Sequence, residues 1–588
     1  MCGICGEFKF ISKSFDNEKL NNLMDSISAR GNDSQGRYMD DDVFLGHHRL
    51  AIIDTSNKSN QPMQVGKYVI VFNGVIFNYR ELRSALIKKG HSFSSSGDTE
   101  VIIRSYMEYG SDCVNYLDGV FAFCIYDTEN KKLFLARDRI GIKPLYYLHE
   151  SGQLYFSSHM KGIIKNMVKR KVNPIALNYQ FTLHSVVPAP HTIIDNIQKL
   201  EPGHTITVHK SGRIDRTRYF NIDEIQLSKY NTQEIYENIS SLLTAAIEKR
   251  ISVADVPVGV LLSGGLDSSL ITAISKEYKN NLNTYSIGFE TINNEEGNEF
   301  HYSDMVANDL KTLHEKYSVT SFDLLNSLDD VIMSMSEPMF SQDSSAFYLL
   351  AKNVSKSAKV VLSGQGADEV FGGYFWYEKI MNETNLNSID TLSKYYFDRS
   401  YENFKTIVHS DFVHENYASN DIGSRLKQMD PSLSILDKIF RLELAMFIID
   451  DPVKRVDNMT MSHSLEARVP FLDIDLIRFM LSVESEKKIE NGEKCLLKEV
   501  SKKYLNNKII NREKFYFPVP PLKIIKDKFF DYCRKTLLSE SALERNLYNT
   551  TYINKILEKP NEHFTNLNGN ELWHFTLLER WLQLNIDQ

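Results

Sequence analysis

The chain has 588 residues, of which 42% are hydrophobic and 24% charged, a balance that supports sizeable buried cores and excludes a tail, a fibre or a low-complexity scaffold. Its formal charge is 68 − 76 = −8, spread along the sequence, which disfavours a general nucleic-acid or anionic-lipid binder. No uninterrupted apolar run approaches the roughly 18 to 20 residues of a membrane span, and the start lacks a basic region followed by an apolar core, so a cytosolic protein is expected. The six cysteines are too sparse for a disulfide framework, and Cys2 and Cys5 lack a second CxxC with which to bind zinc.

From residue 1 to about 215 the chain alternates short apolar segments with Gly, Asn and Asp turns, as in Tyr68 to Phe72 before Asn73-Gly74, and again in Val120 to Tyr126. Leu133 to Ala136, Leu145 to Leu148 and Gln153 to Ser157 read as further strands, while Tyr79 to Lys89 and Glu100 to Tyr109 have helical spacing. An α+β sandwich of sheets with covering helices is expected. Weak, mostly polar periodicity between about 212 and 232 marks a boundary, and a helix from Glu234 to Arg250 opens a second domain, 230–588. There Val258 to Leu262, Thr284 to Phe289 and Lys359 to Leu362 read as buried strands, with helices from Ser268 and around Tyr302 to Leu310 between them, the βαβ rhythm of a parallel sheet. From about Glu378 the reading is helical, an extension packed on that sheet.

Two places carry chemistry. Met1-Cys2-Gly3 sets a thiol directly after the initiator, and a side chain this small permits removal of Met1. Cys2 then holds both a nucleophile and an α-amine, which can relay the thiol proton. Arg49 offers a planar donor for a carboxylate, Asn73 and Gly74 an amide and a close N–H for an oxyanion, and Asp98 an acid for an amine, together parts for holding an amino acid during acyl transfer. The second place is Ser263-Gly264-Gly265-Leu266-Asp267-Ser268-Ser269 after the strand ending at Leu262. Its glycines let backbone N–H groups approach a phosphate, a helix start adds a favourable field, and the hydroxyls of Ser263, Ser268 and Ser269 are further donors. No Gly-Lys-Ser/Thr follows, so this is not a Walker loop.

The first domain resembles the class II glutamine amidotransferases in order and spacing: Met-Cys-Gly-Ile, the Arg49 segment leading to Gln61-Pro62-Met63, Phe72-Asn73-Gly74, Asn78 to Leu82, Gly97 to Glu100, and Arg137 to Tyr147. The serine-glycine loop resembles the pyrophosphate loop of ATP pyrophosphatases. With Thr284 to Glu290, Ser336-Glu337-Pro338, Val361 to Tyr374 and Ser464 to Asp473, it resembles the synthetase domain of the glutamine-hydrolysing asparagine synthases. The resemblance implies an N-terminal nucleophile αββα sandwich over 1–215, followed by an α/β ATP pyrophosphatase domain over 230–588.

It further implies that Cys2 attacks the side-chain amide of glutamine, that Asn73 and Gly74 hold the oxyanion, and that Arg49, Ile53, Val75 and Asp98 bind the substrate. Leu261 and Ile287 would flank adenine, Ser363 and Gly364 would contact the nucleoside, and Asp267 and Asp368 would hold Mg²⁺ on ATP. Lys514 matches the lysine that stabilises charge on the reacting groups, and Gln365 lies on the ammonia side. Glutamine, ATP and a carboxylate acceptor, aspartate first, are the expected partners, and a homodimer is left open.

Four departures stand out: Val75 where the family usually carries Glu, Gln365 where the best-studied asparagine synthetases carry Glu and many other members Gln, Tyr516 where a small residue is usual, and Ala29-Arg30-Gly31-Asn32-Asp33 for His-Arg-Gly-Pro-Asp. The expectation is weaker glutamine binding with the thiol chemistry intact. Two other readings are carried: amidation of a different carboxylate, such as a uronic acid of a surface polysaccharide, and a non-catalytic homologue. His47-His48 is read as structural rather than a metal pair, Cys5 and Cys124 as core, and Trp573, Phe575 and Trp581 as packing. Ammonia would protonate in bulk water, so an enclosed path lined by small and apolar residues is expected between the domains.

Overall fold

The computed structural model describes residues 2–11, 14–292, 295–383, 389–513 and 519–587. Twelve strands build the first layered body: β1 (Gly3–Lys9), β2 (Ser34–Met39), β3 (Val43–Arg49), β4 (Met63–Val65), β5 (Tyr68–Ile76), β6 (Gly119–Asp127), β7 (Lys132–Arg137), β8 (Tyr146–Glu150), β9 (Gln153–Ser157), β10 (Ile197–Lys199), β11 (His204–His209) and β12 (Ile214–Arg218). They form two six-stranded sheets in the orders β10-β8-β9-β1-β3-β2 and β12-β11-β7-β6-β5-β4, every pair antiparallel.

The period of two on β5 shows why the body has four layers. Val69 and Val71 enter the core between the sheets, with Ile4, Phe8, Leu45 and Cys124. Ile70 and Phe72 point the other way, into a second core under the helices Tyr79–Lys88 and Asp98–Tyr109. On the opposite side, the helix Asn17–Ile27 buries Leu20, Leu23, Met24 and Ile27, one stripe at helical spacing. This is the αββα sandwich.

A 21-residue helix, Thr232–Ser252, opens the second body behind a capping box of Asn231 and Glu234. Its sheet holds β13 (Val258–Leu261), β14 (Asn283–Phe289), β15 (Leu313–Val319), β16 (Val360–Leu362) and β17 (Glu466–Arg468) in the order β15-β14-β13-β16-β17, all parallel. The order reverses between β13 and β16, and in such sheets ligands bind at the carboxyl ends beside that point. Residues beyond about 376 are mainly helical, and Trp573, Phe575 and Trp581 are buried in that packing. Among the described residues, no helix is long and apolar enough to cross a membrane.

Buried charge joins the two bodies. Arg30 (2.9 Å) and Lys143 (3.2 Å) both reach Asp457, and Lys199 reaches Glu337 (2.9 Å) and Asp450 (2.6 Å). Asp457 lies below the usual carboxylate range: burial opposes its ionisation, and Arg30 and Lys143 outweigh that. Asp457→Ala removes the anion that both buried cations contact directly, which costs about 3–5 kcal/mol. Denaturant unfolding is expected to show that loss, with Asp457→Asn intermediate; an unchanged midpoint would contradict the assignment of Asp457 as the interface anion. The segment Ala29 to Asp33, unusual in sequence, lies at this junction: Ser464 donates to the Ala29 carbonyl (2.7 Å), and Lys359 to both Asp33 oxygens (2.7 and 2.8 Å).

Candidate active sites

Cys2 leads into β1, beside the end of β3 at Arg49 and across from Asn73-Gly74 on β5. Its backbone nitrogen donates to Asn73 Oδ1 at 3.1 Å. The side chain is 8% exposed, and burial pushes the thiol pKa up. Asn73 is fully buried, and its Nδ2 has no hydrogen-bond partner, a donor whose cost is removed only by an incoming acceptor. Gly74 admits no side chain, because a Cβ would lie 2.2 Å from the Val120 carbonyl.

A cavity opens at Cys2, and Arg49, Ile53, Gly74, Val75 and Asp98 line it. The 54–60 loop wraps Arg49, whose guanidinium donates to Ser56 O (2.8 Å), Asn60 Oδ1 (2.7 Å) and Asp54 O. That use fixes the plane of the fork and leaves it further donors. Asp98 is the first residue of its helix and accepts from Ile76 N at 3.1 Å; burial pushes its carboxyl up to about 6. Sequence reading missed Glu466 and Arg468, which reach this cavity from β17 of the other body.

The second cavity lies at the carboxyl ends of β13, β14 and β16. Leu261, Ser263, Gly265, Asp267, Ser268, Ile287, Ser363, Gly364, Gln365 and Asp368 all line it. Ser263 Oγ and Ser268 Oγ lie 3.1 Å apart, and Gly265 N donates to Ser263 Oγ at 3.3 Å, which closes the loop on itself. Gly264 has φ +82°, and a Cβ there would meet Ser303 N at 2.5 Å, so both conformation and space demand glycine. One expectation is corrected. Ser269 is fully buried with its hydroxyl in the protein interior, because the helix turns it onto the face that packs the core. Lys514 and Tyr516 lie outside the described residues.

Asp267 and Asp368, about a hundred residues apart in sequence, are held by one ammonium. Lys494 Nζ lies 2.7 Å from Asp267 Oδ2 and 2.8 Å from Asp368 Oδ1. Burial alone would lower its pKa, and the two carboxylates reverse that and raise it. Gly373 permits the approach, since a Cβ there would sit 1.9 Å from Asp368 Oδ1 and 2.3 Å from Lys494 Cε. Two carboxylates in one cavity with a phosphate-type loop are the hard-oxygen donor set that suits a divalent cation. Nothing in Gly492-Glu493-Lys494-Cys495 marks this lysine among the chain's others.

His47, read as structural, is fully buried with Nε2 3.3 Å from Phe72 O, and Cys5 and Cys124 are buried core.

The family model described as asparagine synthase matches residues 238–583, and that described as a glutamine amidotransferase domain matches 1–220. The chain is 30% identical to asparagine synthetase [glutamine-hydrolyzing] 1 of Bacillus subtilis, over 100% of this chain and 97% of that one. It is 31% identical to asparagine synthetase [glutamine-hydrolyzing] 3 of the same organism, over 88% and 87%. With putative asparagine synthetase [glutamine-hydrolyzing] 2 of Methanocaldococcus jannaschii it shares 34% identity over 67% of this chain and 79% of that one.

Proposed function

Because the chain belongs to the asparagine synthase family, we propose that it hydrolyses glutamine at Cys2 and uses the ammonia, with ATP, to convert aspartate to asparagine. The observation that carries the first half is the Cys2 thiol at a cavity that Gly74 also lines, with the Cys2 nitrogen located by Asn73 Oδ1 and the neighbouring Asn73 Nδ2 left unpartnered.

The thiol is buried and protonated at rest, so it needs a base, and the Cys2 α-amine is that base. Sulfur adds to the amide carbon of glutamine, and the carbonyl electrons move to oxygen, where Asn73 Nδ2–H and the Gly74 N–H receive them. The proton passes to the departing nitrogen, ammonia leaves, and water later cleaves the thioester to glutamate. Arg49 takes the substrate carboxylate and Asp98 its ammonium.

That last role fixes a pH dependence. Asp98 must be ionised to pair with an ammonium, and it titrates at about 6. The KM for glutamine is expected to stay level above about pH 7 and to rise about tenfold per unit below pH 6. An unchanged KM at pH 5 would contradict it.

At the second cavity the apolar side chains of Leu261 and Ile287 receive adenine, and the Ser263 to Ser268 loop receives the phosphates. Asp267 and Asp368 would hold Mg²⁺, which neutralises phosphate charge when bound, and Lys494 is freed from its bridge to face phosphate oxygen. The acceptor carboxylate attacks the α-phosphorus and pyrophosphate leaves; ammonia then adds to the acyl carbon, AMP departs, and a proton is lost. By the family resemblance, Lys514 would add a positive charge on the reacting groups. Gln365 orients ammonia, and a neutral amide takes no proton near pH 7. All six cysteines are free thiols, which fits a cytoplasmic setting.

Glutamine labelled with ¹⁵N in the side-chain amide tests the pairing of the two sites. With ATP, aspartate and excess unlabelled ammonium, the asparagine amide is expected to carry the label, whereas asparagine labelled only to the level of the mixed pool would contradict an enclosed path.

A further inference from the structure

Two cavity walls meet at the glutamine site, and one belongs to the other domain. Glu466 and Arg468 are alternate residues of β17, so both face the Cys2 cavity while Ala467 turns away. The strand is fixed from behind: Glu466 pairs with Val360 and Arg468 with Leu362 on β16, and Glu466 N donates to Lys359 O at 2.8 Å. Arg468 donates to Glu466 Oε1 (2.6 Å) and to the carbonyls of Arg250 (2.6 Å) and Val253 (2.7 Å). Its Nη2 is buried with no partner, and the residue is 3% exposed.

The charge inventory shows what the pair is for. A free amino acid brings a carboxylate and an ammonium into the cavity. The first domain supplies Arg49 for the former and only Asp98 for the latter, and Asp98 is a weak anion because burial favours its neutral form. Position 75, in the same wall, is an apolar valine, 1% exposed. Glu466 is different: burial opposes its charge, yet the positive N-terminus of the chain first, and then Arg468 and Lys143, hold it ionised at about 2. It lies near enough to Asp98 for its charge to disfavour a second anion there, a repulsion that an ammonium between the two carboxylates would relieve.

We propose that Glu466, held by Arg468, completes the glutamine pocket across the domain junction and with Asp98 binds the substrate's α-ammonium, a task the first domain's own wall leaves to a single acid. This rests on the glutaminase reading given above. It makes Glu466 a specificity and positioning residue rather than a catalytic one, and it makes glutamine binding depend on where β17 sits.

Steady-state hydrolysis of glutamine and of glutaramate, the same amide without the α-amine, tests it in the full-length enzyme. For Glu466→Gln, the KM for glutamine is expected to rise at least tenfold with kcat within about threefold. The preference for glutamine over glutaramate is expected to fall by the same factor, and Glu466→Asp to recover part of it. Val75→Glu on the Glu466→Gln background restores an acid from the first domain and is expected to bring the KM back toward the parent value. Ammonia-driven AMP release reports that each variant is folded. An equal loss on both amides, or an unchanged KM, would overturn the inference. Absence of glutamine hydrolysis by the unaltered enzyme would instead overturn the glutaminase reading beneath it.

Discussion

Replacing Cys2 by alanine is expected to abolish glutamine-driven synthesis, by on the order of 10³-fold or more, while synthesis driven by added ammonium persists close to the parent rate. The split follows from geometry. Cys2 lines its cavity, and its Sγ donates to the Leu50 carbonyl at 4.0 Å. Among the described residues, none expected to handle ATP lines that cavity. Alanine removes the nucleophile without adding volume, and the backbone nitrogen keeps its bond to Asn73. Parallel assays of the variant with each nitrogen source check this, and loss of both activities together would contradict two separable sites.

The second large effect is expected at Asp267. Asp267→Asn keeps the size of the side chain and removes one of the two anions that Lys494 bridges. A neutral amide holds neither that ammonium nor a divalent ion on a triphosphate as a carboxylate does. ATP-dependent AMP release is expected to fall by on the order of 10²-fold or more with either nitrogen source, while glutamine hydrolysis continues. Lys494→Met is expected to share the phenotype for the complementary reason, two carboxylates left facing each other in one cavity. ATP turnover within a few-fold of the parent in either variant would contradict the assigned phosphate site.

The sequence made much of both sites legible because their residues are contiguous there. Ser263 to Ser268 is one loop, and Asn73-Gly74 is one pair on a strand whose alternation, Val69 and Val71 against Ile70 and Phe72, already describes burial on both faces. What escaped was assembled over distance. β17 is three residues long and joins the sheet about a hundred residues after β16, so no local periodicity announces it. β15 is an edge strand with the largely exposed pattern Leu-His-Glu-Lys-Tyr-Ser-Val, which lacks the apolar run of a central strand. Lys494 is one lysine in a polar turn, and only the approach of the chain at Gly373 gives it two partners. Ser269 shows the converse. A hydroxyl beside a glycine loop reads as a donor, and the 100° step of the helix turns it into the core.

The central claim, that one chain couples glutamine hydrolysis to amidation of an adenylated aspartate, is tested most directly by AMP and pyrophosphate release from the purified enzyme. The assay holds MgATP and glutamine, with aspartate present or absent, and identifies the product by mass spectrometry. The account predicts aspartate-dependent release of both products with asparagine formed in equal amount. ATP cleavage indifferent to aspartate would contradict the assignment of the acceptor and turn the search to another carboxylate, and no cleavage under any condition would contradict the synthetase reading itself.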